Sequence, residues 1–173
     1  MIEVRLGDLA GAEADAVLRP VSSDFSPVTP AMRRLDEAAG DRVLSQCRRI
    51  GDLPVGSAVI TPAGTLAAEF IVHVAIRSPE ENATPTVVRL GLRNGLRRLV
   101  EWELESVAVA PLGTGAGNLD AQEAAEVMVP LLADHIRDHP HPARVTIVVE
   151  DEYQRDVFAA AVSRARELAG SGP

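Results

Sequence analysis

Apolar and polar positions follow two different periods along this 173-residue chain. Residues 2–6 alternate between apolar and polar side chains, which is typical of a half-buried strand. A second short strand over residues 16–18 is predicted to close at Pro20, and apolar or β-rich runs predict four more strands, over 57–61, 70–76, 107–110 and 145–149. Helical spacing of apolar residues predicts helices over 30–47, with an interruption at Gly40, and over 86–102, 121–136 and 156–168.

Strands therefore alternate with helices, and most of the strands are apolar throughout. This order predicts an α/β fold, a three-layer α/β/α sandwich with a mostly parallel sheet. We expect residues 1–169 to form one domain, followed by a short tail over 170–173, since this length is typical of a single domain. In such sheets ligands bind at the carboxyl ends of the strands, so we expect a site there.

The segment after the fifth predicted strand is rich in glycine. Gly113, Thr114, Gly115, Ala116 and Gly117 run from the strand toward a helix that Asn118 or Asp120 could cap. Glycine permits positive φ and a close approach of ligand to backbone, and successive N–H groups at a helix start bind anions. The spacing is neither that of a dinucleotide fingerprint nor that of a P-loop, and a simple tight turn is the alternative. We interpret the segment as a phosphate-binding loop and include Asn118 among its candidate ligand-binding residues.

Composition narrows the class of partner. The net charge is −8, and all seventeen basic residues are arginine, so a face able to neutralise duplex nucleic acid is not expected. The single cysteine, Cys47, suits a reducing cytoplasm, and no stretch is long and apolar enough to predict a membrane span. His135 and His139 lack the carboxylate or cysteine signature of a metal site, and we expect no metal and no cofactor.

Several segments, in this order, resemble the macro domain, an ADP-ribose-binding module. They begin at Val4, Asp15, Ala38, Pro54, Ile71 and Val109 and read Val-Arg-Leu-Gly-Asp-Leu, Asp-Ala-Val, Ala-Ala-Gly, Pro-Val-Gly-Ser-Ala-Val-Ile-Thr, Ile-Val-His and Val-Ala-Pro-Leu-Gly-Thr-Gly. The resemblance implies a mixed six-stranded sheet with an ADP-ribose cleft at the strand ends. It also implies that Asp8 accepts from the adenine amino group, that Leu9 and Tyr153 line the adenine pocket, and that residues 113–117 hold the diphosphate.

The other half of the implied cleft departs from the family pattern. Arg19 to Ser22 stand where the family has Asn-Ala-Ala-Asn, residues 27–30 replace its polyglycine loop, and Met32 replaces the aspartate of its hydrolytic branch. Ser22 is then the candidate for the distal ribose. Arg19 is a candidate phosphate partner at the rim, with a surface ion pair as the alternative. Asp24 is a weak candidate for the missing acid.

The sequence thus predicts a protein that binds ADP-ribose or a related adenine nucleotide diphosphate and is not catalytic. ADP-ribosylated protein is a further candidate partner. One alternative is a divergent ADP-ribosyl or O-acetyl-ADP-ribose hydrolase. Another is a domain that keeps the fold but binds a different nucleotide or a protein.

Overall fold

A computed structural model describes residues 1–115 and 118–170. The strands are β1 (Ile2–Leu6), β2 (Ala16–Ser22), β3 (Ala58–Pro62), β4 (Phe70–Arg77), β5 (Ser106–Val109) and β6 (Arg144–Val149). The helices are α1 (Pro30–Ala39), α2 (Asp41–Ile50), α3 (Pro85–Glu101), α4 (Ala121–Asp138) and α5 (Glu152–Gly170), and a single 3₁₀ turn covers Leu9–Gly11.

The six strands form one mixed sheet in the order β1-β6-β5-β2-β4-β3. Every neighbouring pair is parallel except β3 with β4, so the predicted mostly parallel sheet is confirmed. Helices α3, α4 and α5 cover one face, where Leu92, Leu96, Met128 and Phe158 are fully buried. Helices α1 and α2 cover the other face and complete the predicted three layers.

Strand β2 is longer than the sequence predicts, since it continues through Pro20 to Ser22. Its pairing with β5 ends at Leu18, whose carbonyl oxygen accepts from the Ala110 N–H. Alternate residues of a parallel strand direct their backbone groups to the same neighbour, so Pro20 lacks its N–H on the side where β5 has ended. The proline therefore costs no ladder bond and does not end the strand.

Side-chain caps explain where the helices begin. Thr29 and Thr84 each precede a proline, and their hydroxyls accept from the N–H groups of Met32 and Val87. Asp120 and Glu123 form a reciprocal capping box at the start of α4, so Asp120, of the two candidates, is the cap.

The last helix begins at Glu152, four residues before its predicted start. The Asp151 carboxylate accepts from the Gln154 N–H at 2.8 Å, which stabilises this earlier turn. No helix within the described residues is long and apolar enough to cross a membrane.

Candidate functional site

Four parallel strands end at the same edge of the sheet and bring the candidate residues together. Gly7 and Asp8 follow β1, Glu150 follows β6, Ala110 follows β5, and Ser22 ends β2. In an open sheet this edge is where ligands bind, because several loops converge there. The expected site therefore lies between β1, β6, β5 and β2.

The glycine loop leaves β5 with two residues in the left-handed region. Gly113 has φ +84°, and a Cβ there would lie 2.8 Å from Val88 Cγ2, so this glycine is required by conformation and by packing. Gly115 has φ +123° and is exposed. Thr114 lies between them in an isolated bridge with Leu119. Ala116 and Gly117, two of the proposed diphosphate-binding residues, lie outside the described residues.

Asn118 anchors this loop to the start of α3. Its side-chain amide oxygen accepts from the Ala83 N–H at 3.0 Å, and its own N–H donates to the Gly115 carbonyl oxygen at 3.2 Å. This places the predicted ligand residue in a structural role that holds both ends of the turn.

The space at the strand ends is small. A cavity of about 30 Å³ lies there, and we call it the strand-end cavity. That volume holds on the order of two water molecules, whereas pockets for small-molecule ligands occupy roughly 300–1,000 Å³. Its lining residues are Gly7, Leu9, Pro20, Thr29, Ala31, Met32, Ala110, Pro111, Thr114, Val148, Glu150 and Gln154.

The segment 23–29 follows β2, and its last residue, Thr29, lines the cavity on one side. A Cβ on Gly115 would lie 3.4 Å from Thr29 Cγ2 and 3.7 Å from the Val28 carbonyl oxygen. The segment therefore lies against the glycine loop at the strand ends. It is braced by the Phe25 N–H, which donates to the Ser22 carbonyl oxygen, and by the Ser23 N–H, which donates to the Arg77 carbonyl oxygen.

A three-residue ion pair spans the other side. Arg34, on α1, donates from Nε to the Asp8 carboxylate at 2.9 Å and from a terminal nitrogen to Glu150. These hydrogen bonds raise the pKa of Arg34 above its ordinary value. We call this set the Asp8–Arg34–Glu150 bridge. It links the ends of β1 and β6 to α1, and half of each side chain remains in solvent.

The two predicted adenine residues after β1 are placed differently. Leu9 is buried and lines the strand-end cavity. Asp8 caps the 3₁₀ turn by accepting from the Ala10 N–H at 3.1 Å, and its second carboxylate oxygen faces Arg34. Each Asp8 carboxylate oxygen thus already accepts one hydrogen bond, and any further donor would share the carboxylate with the Arg34 guanidinium.

Arg19 does not lie at the rim, and this prediction is wrong. Its side chain is fully buried in the middle of β2, on the face that packs against α1 and α2. It forms an ion pair with Asp36 of α1, and its Nε–H donates to His73 Nδ1 at 3.0 Å. Side chains alternate between the faces of a strand, so Arg19 points to the same side as the buried Val17 and Val21.

His73 continues this buried polar network. Its Nε2 lies 2.8 Å from the Thr61 hydroxyl, which in turn donates to the Pro62 carbonyl oxygen. Since Nδ1 accepts from Arg19, the ring proton resides on Nε2. Burial, together with the charge of Arg19, lowers the pKa of His73 well below its ordinary value, which keeps the ring neutral. His73 is thus a core histidine with both ring nitrogens satisfied.

Ser22 and Asp24 lie outside the strand-end cavity. Ser22 is buried at the end of β2, and with Asp24 and Ser26 it borders a shallow depression beside Arg77. Hydrogen bonds from Ser26 lower the pKa of Asp24. A carboxylate held in its ionised form in this way is a weak proton acceptor.

Tyr153 lies on the first turn of α5 and is 65% exposed. It is not among the residues that line the strand-end cavity, whereas its neighbour Gln154 is. Tyr153 is thus exposed and does not form part of the cavity wall.

No group of three metal-ligating side chains occurs within residues 1–115 and 118–170. The rings of His135 and His139 stack at 4.3 Å, and His135 Nε2 contacts the His141 carbonyl oxygen at 3.0 Å. The two histidines therefore contact each other and the backbone at the end of α4.

The chain belongs to the Macro domain family, whose model matches residues 31–128. Among curated relatives, it is 30% identical to the O-acetyl-ADP-ribose deacetylase of Escherichia coli and 29% identical to that of Cronobacter sakazakii. These alignments cover 91% and 89% of this chain and 92% of each relative.

Solved structures agree on the fold. An Oceanobacillus iheyensis macrodomain with ADP has a TM-score of 0.87 at 19% identity, covering 96% of this chain and 92% of that one. A Trypanosoma brucei macrodomain in complex with ADP-ribose has a TM-score of 0.85 at 16% identity, covering 93% of this chain and 68% of that one.

Sequence reasoning missed the residues that close the site. Arg34 and Glu150 are separated by 116 positions, and Thr29 reaches Gly115 only in the folded chain. No local pattern reports such contacts. The burial of Asp36 is predictable from the sequence, since this residue lies on the buried face of α1 beside Met32 and Leu35.

Proposed function

We propose that this chain binds ADP-ribose or a related adenine nucleotide diphosphate at the strand ends, and that it binds without hydrolysis. The glycine loop carries the proposal, because Gly113 and Gly115 adopt positive φ at the end of a central parallel strand in a chain of the Macro family. The related macrodomains with ADP and with ADP-ribose support the same ligand class. Residues 1–169 act as one domain in this proposal, and the lone cysteine suits a cytoplasmic location.

Each end of the nucleotide has a proposed contact. The N–H groups of residues 113–117 hold the diphosphate, Leu9 contacts adenine, and Asp8 accepts from the adenine amino group. Arg19 is not part of this site, because its guanidinium is buried in an ion pair with Asp36. ADP-ribosylated protein remains a possible source of the same ligand group.

Binding requires the strand-end cavity to enlarge. A volume of about 30 Å³ has to increase by roughly an order of magnitude to admit a nucleotide. Segment 23–29 and the Asp8–Arg34–Glu150 bridge border the cavity, so their displacement is the opening step. Part of the binding free energy is spent on this opening, and we expect affinity in the micromolar range, about 8 kcal/mol at 1 μM.

Calorimetric titration with ADP-ribose, ADP, AMP and phosphate tests the ligand. We expect ADP-ribose to bind less than about tenfold more tightly than ADP, because Ser22 and residues 27–30 stand where the family has its distal-ribose asparagine and its polyglycine loop. Neither heat nor thermal protection with ADP-ribose and ADP at high protein concentration would contradict the proposal.

Hydrolysis of O-acetyl-ADP-ribose is the second candidate function, favoured by the names of the curated relatives. Three features oppose it: Met32 cannot accept a proton, Asp36 is held by Arg19, and Asp24 has a lowered pKa. Loss of a positioned base lowers a rate by about 10²–10⁴-fold.

The second candidate is tested by measuring release of acetate from O-acetyl-ADP-ribose and of ADP-ribose from modified proteins. Asp24→Ala is compared with Asp52→Ala, another exposed aspartate. Turnover that is lost only in the Asp24 variant would establish catalysis and identify the base.

A further inference from the structure

Three arginines form a row along one face of α3. Arg89, Arg93 and Arg97 are exposed and follow each other at intervals of four residues. Successive members are therefore about 6 Å apart along the helix axis, and the row is about 12 Å long. Like charges at this spacing repel each other, so the row weakens α3 slightly unless something compensates it.

No direct contact within residues 1–115 and 118–170 provides this compensation. None of the three side chains forms a hydrogen bond or an ion pair there. Arg98, on another face of the same helix, contrasts with them, since it pairs with Glu101 at 2.7 Å and donates to the Ala58 carbonyl oxygen. The row is unpaired although the chain carries 25 acidic residues and a net charge of −8.

The row forms one wall of a groove between α3 and α4 with a volume of about 550 Å³. Its floor is apolar and includes Leu96, Val100, Val127 and Leu131. We call this feature the α3–α4 groove. An arginine wall beside an apolar floor can recognise carboxylates and apolar side chains together.

The opposite wall of the groove is formed by α4 and carries three carboxylates, each with a hydrogen-bond partner. Asp134 and Asp138 both contact Arg137 at 2.9 Å, and Glu126 accepts from Gln122 at 2.8 Å. All of these partners lie on α4 itself. These carboxylates thus have hydrogen-bond partners on α4, whereas Arg89, Arg93 and Arg97 have none in the described part of the chain, so the α3 wall is the side with free hydrogen-bond donors for a ligand.

We propose that the α3–α4 groove docks an acidic amphipathic helix of a partner protein. Apolar side chains of that helix contact the groove floor, and carboxylates at positions i, i+4 and i+8 pair with Arg89, Arg93 and Arg97. Both helices rise about 6 Å over four residues, so the two rows match in spacing. This surface lies between two helices on one face of the sheet and is separate from the strand-end cavity in its lining residues.

A peptide suits the groove better than a polyphosphate chain. The acidic wall and the net charge of −8 oppose the high charge density of nucleic acid. The apolar side chains of the floor can neither donate hydrogen bonds to a phosphate backbone nor neutralise its charge. An amphipathic helix can place carboxylates toward α3 and uncharged residues toward α4.

Fluorescence anisotropy with a labelled peptide tests the proposal. The probe carries leucines along one face and glutamates at i, i+4 and i+8 along one edge, and a matched probe carries glutamines instead. We expect saturable binding of the acidic probe that weakens with added salt and is about tenfold weaker with the glutamine probe. Each exposed ion pair changes affinity by about two- to threefold, so the triple variant Arg89→Gln, Arg93→Gln, Arg97→Gln binds about tenfold more weakly.

A second triple variant controls for net charge. Arg33→Gln, Arg42→Gln and Arg49→Gln remove the same charge from the exposed surface of α1 and α2. We expect this variant to keep its affinity for the acidic probe within about twofold. Equal losses in both triple variants, or no binding by the wild-type chain, would overturn the proposal.

Two further measurements separate other occupants. A labelled oligothymidine that binds through the row, while the acidic peptide does not, would assign the groove to nucleic acid and overturn the proposal. A dimer in analytical ultracentrifugation that the first triple variant alone abolishes would assign it to a second copy of this chain. These readouts do not involve ADP-ribose, so they are independent of the proposed nucleotide site.

Discussion

The buried ion pair between Arg19 and Asp36 predicts an unequal effect of removing one charge or both. Asp36→Asn keeps the shape of the side chain but removes its charge. The Arg19 guanidinium then remains fully buried without a counter-ion, and its NH2 nitrogen already lacks a hydrogen-bond partner within the described residues. Removal of one partner from a buried pair costs about 3–5 kcal/mol.

The structure places this variant near the lower end of that range. The Asp36 side chain is 11% exposed, so some water can reach the unpaired charge. We expect a loss of about 3 kcal/mol in the free energy of unfolding, or about 6–12 °C in Tm for a domain of this size. The expected loss is large beside a total stability of about 5–15 kcal/mol.

The double variant Arg19→Met, Asp36→Leu removes both charges. Its main remaining cost is the loss of the donor to His73 Nδ1, an unsatisfied buried acceptor worth about 1–3 kcal/mol. We therefore expect the double variant to be about 2 kcal/mol more stable than the added effects of Arg19→Met alone and Asp36→Leu alone predict.

Urea unfolding followed by circular dichroism measures these free energies. Asp134→Asn is the matched control, because Asp134 pairs with Arg137 while both side chains are about two-thirds exposed. An exposed pair contributes about 0–1 kcal/mol. If Asp36→Asn cost no more than Asp134→Asn, the buried ion pair would not be a stabilising element and the reasoning would be refuted.

Three more predictions concern the site and the buried histidine. Arg34→Gln frees Asp8 from its ion pair, so we expect ADP to bind about two- to fivefold more tightly in calorimetry. Gly115→Val is expected to abolish measurable ADP binding in a folded protein, because φ is +123° and the branched side chain blocks the approach to the backbone. The pKa of His73 is lowered in the folded state, so below pH 6.5, its ordinary pKa, the unfolded chain binds more protons than the folded chain does. The free energy of unfolding should therefore decrease as the pH is lowered below about 6.5, by about 1.4 kcal/mol per pH unit. His73→Gln should reduce this slope.

Each of these three has a control. An Arg34→Gln variant that binds ADP as the wild type does would show that the Asp8–Arg34–Glu150 bridge does not compete with the ligand. Gly51→Val also strains a positive φ, of +79°, with open space around it, and should leave ADP binding intact. Burial lowers the pKa of His135 as well, so His135→Gln shows how much of the slope arises there. An unchanged slope in the His73 variant would contradict the assignment.

The architecture followed from local patterns because those patterns report which face of each element is buried. The alternation over residues 2–6 predicts β1 at its observed bounds, and the spacing of Leu92, Leu96 and Leu99 predicts the buried face of α3. Arg89, Arg93 and Arg97 lie on the exposed face, as the same spacing predicts. A half-buried strand and an amphipathic helix both record burial in the order of their residues.

The order of residues along a strand does not show where its neighbouring strands end. Pro20 would interrupt the ladder only if β5, the neighbour on the side of its missing N–H, continued beside it, and β5 does not. The early end predicted for β2 therefore places Arg19 at the rim, whereas alternation with Val17 and Val21 places it in the core of a strand that extends to Ser22. The counter-ion Asp36 is 17 residues away, so only the packing of α1 on the sheet brings the two charges together.

The amino-acid sequence by itself determined the class of fold, the family and the glycine loop at a strand end, because each depends on neighbouring residues. Tertiary structure alone decided whether that loop is accessible. Segment 23–29 packs against Gly115, and Arg34 joins Asp8 to Glu150, through contacts between residues up to 116 positions apart. Such contacts depend on how separate loops meet after the sheet has formed, and that arrangement closes the site to about 30 Å³.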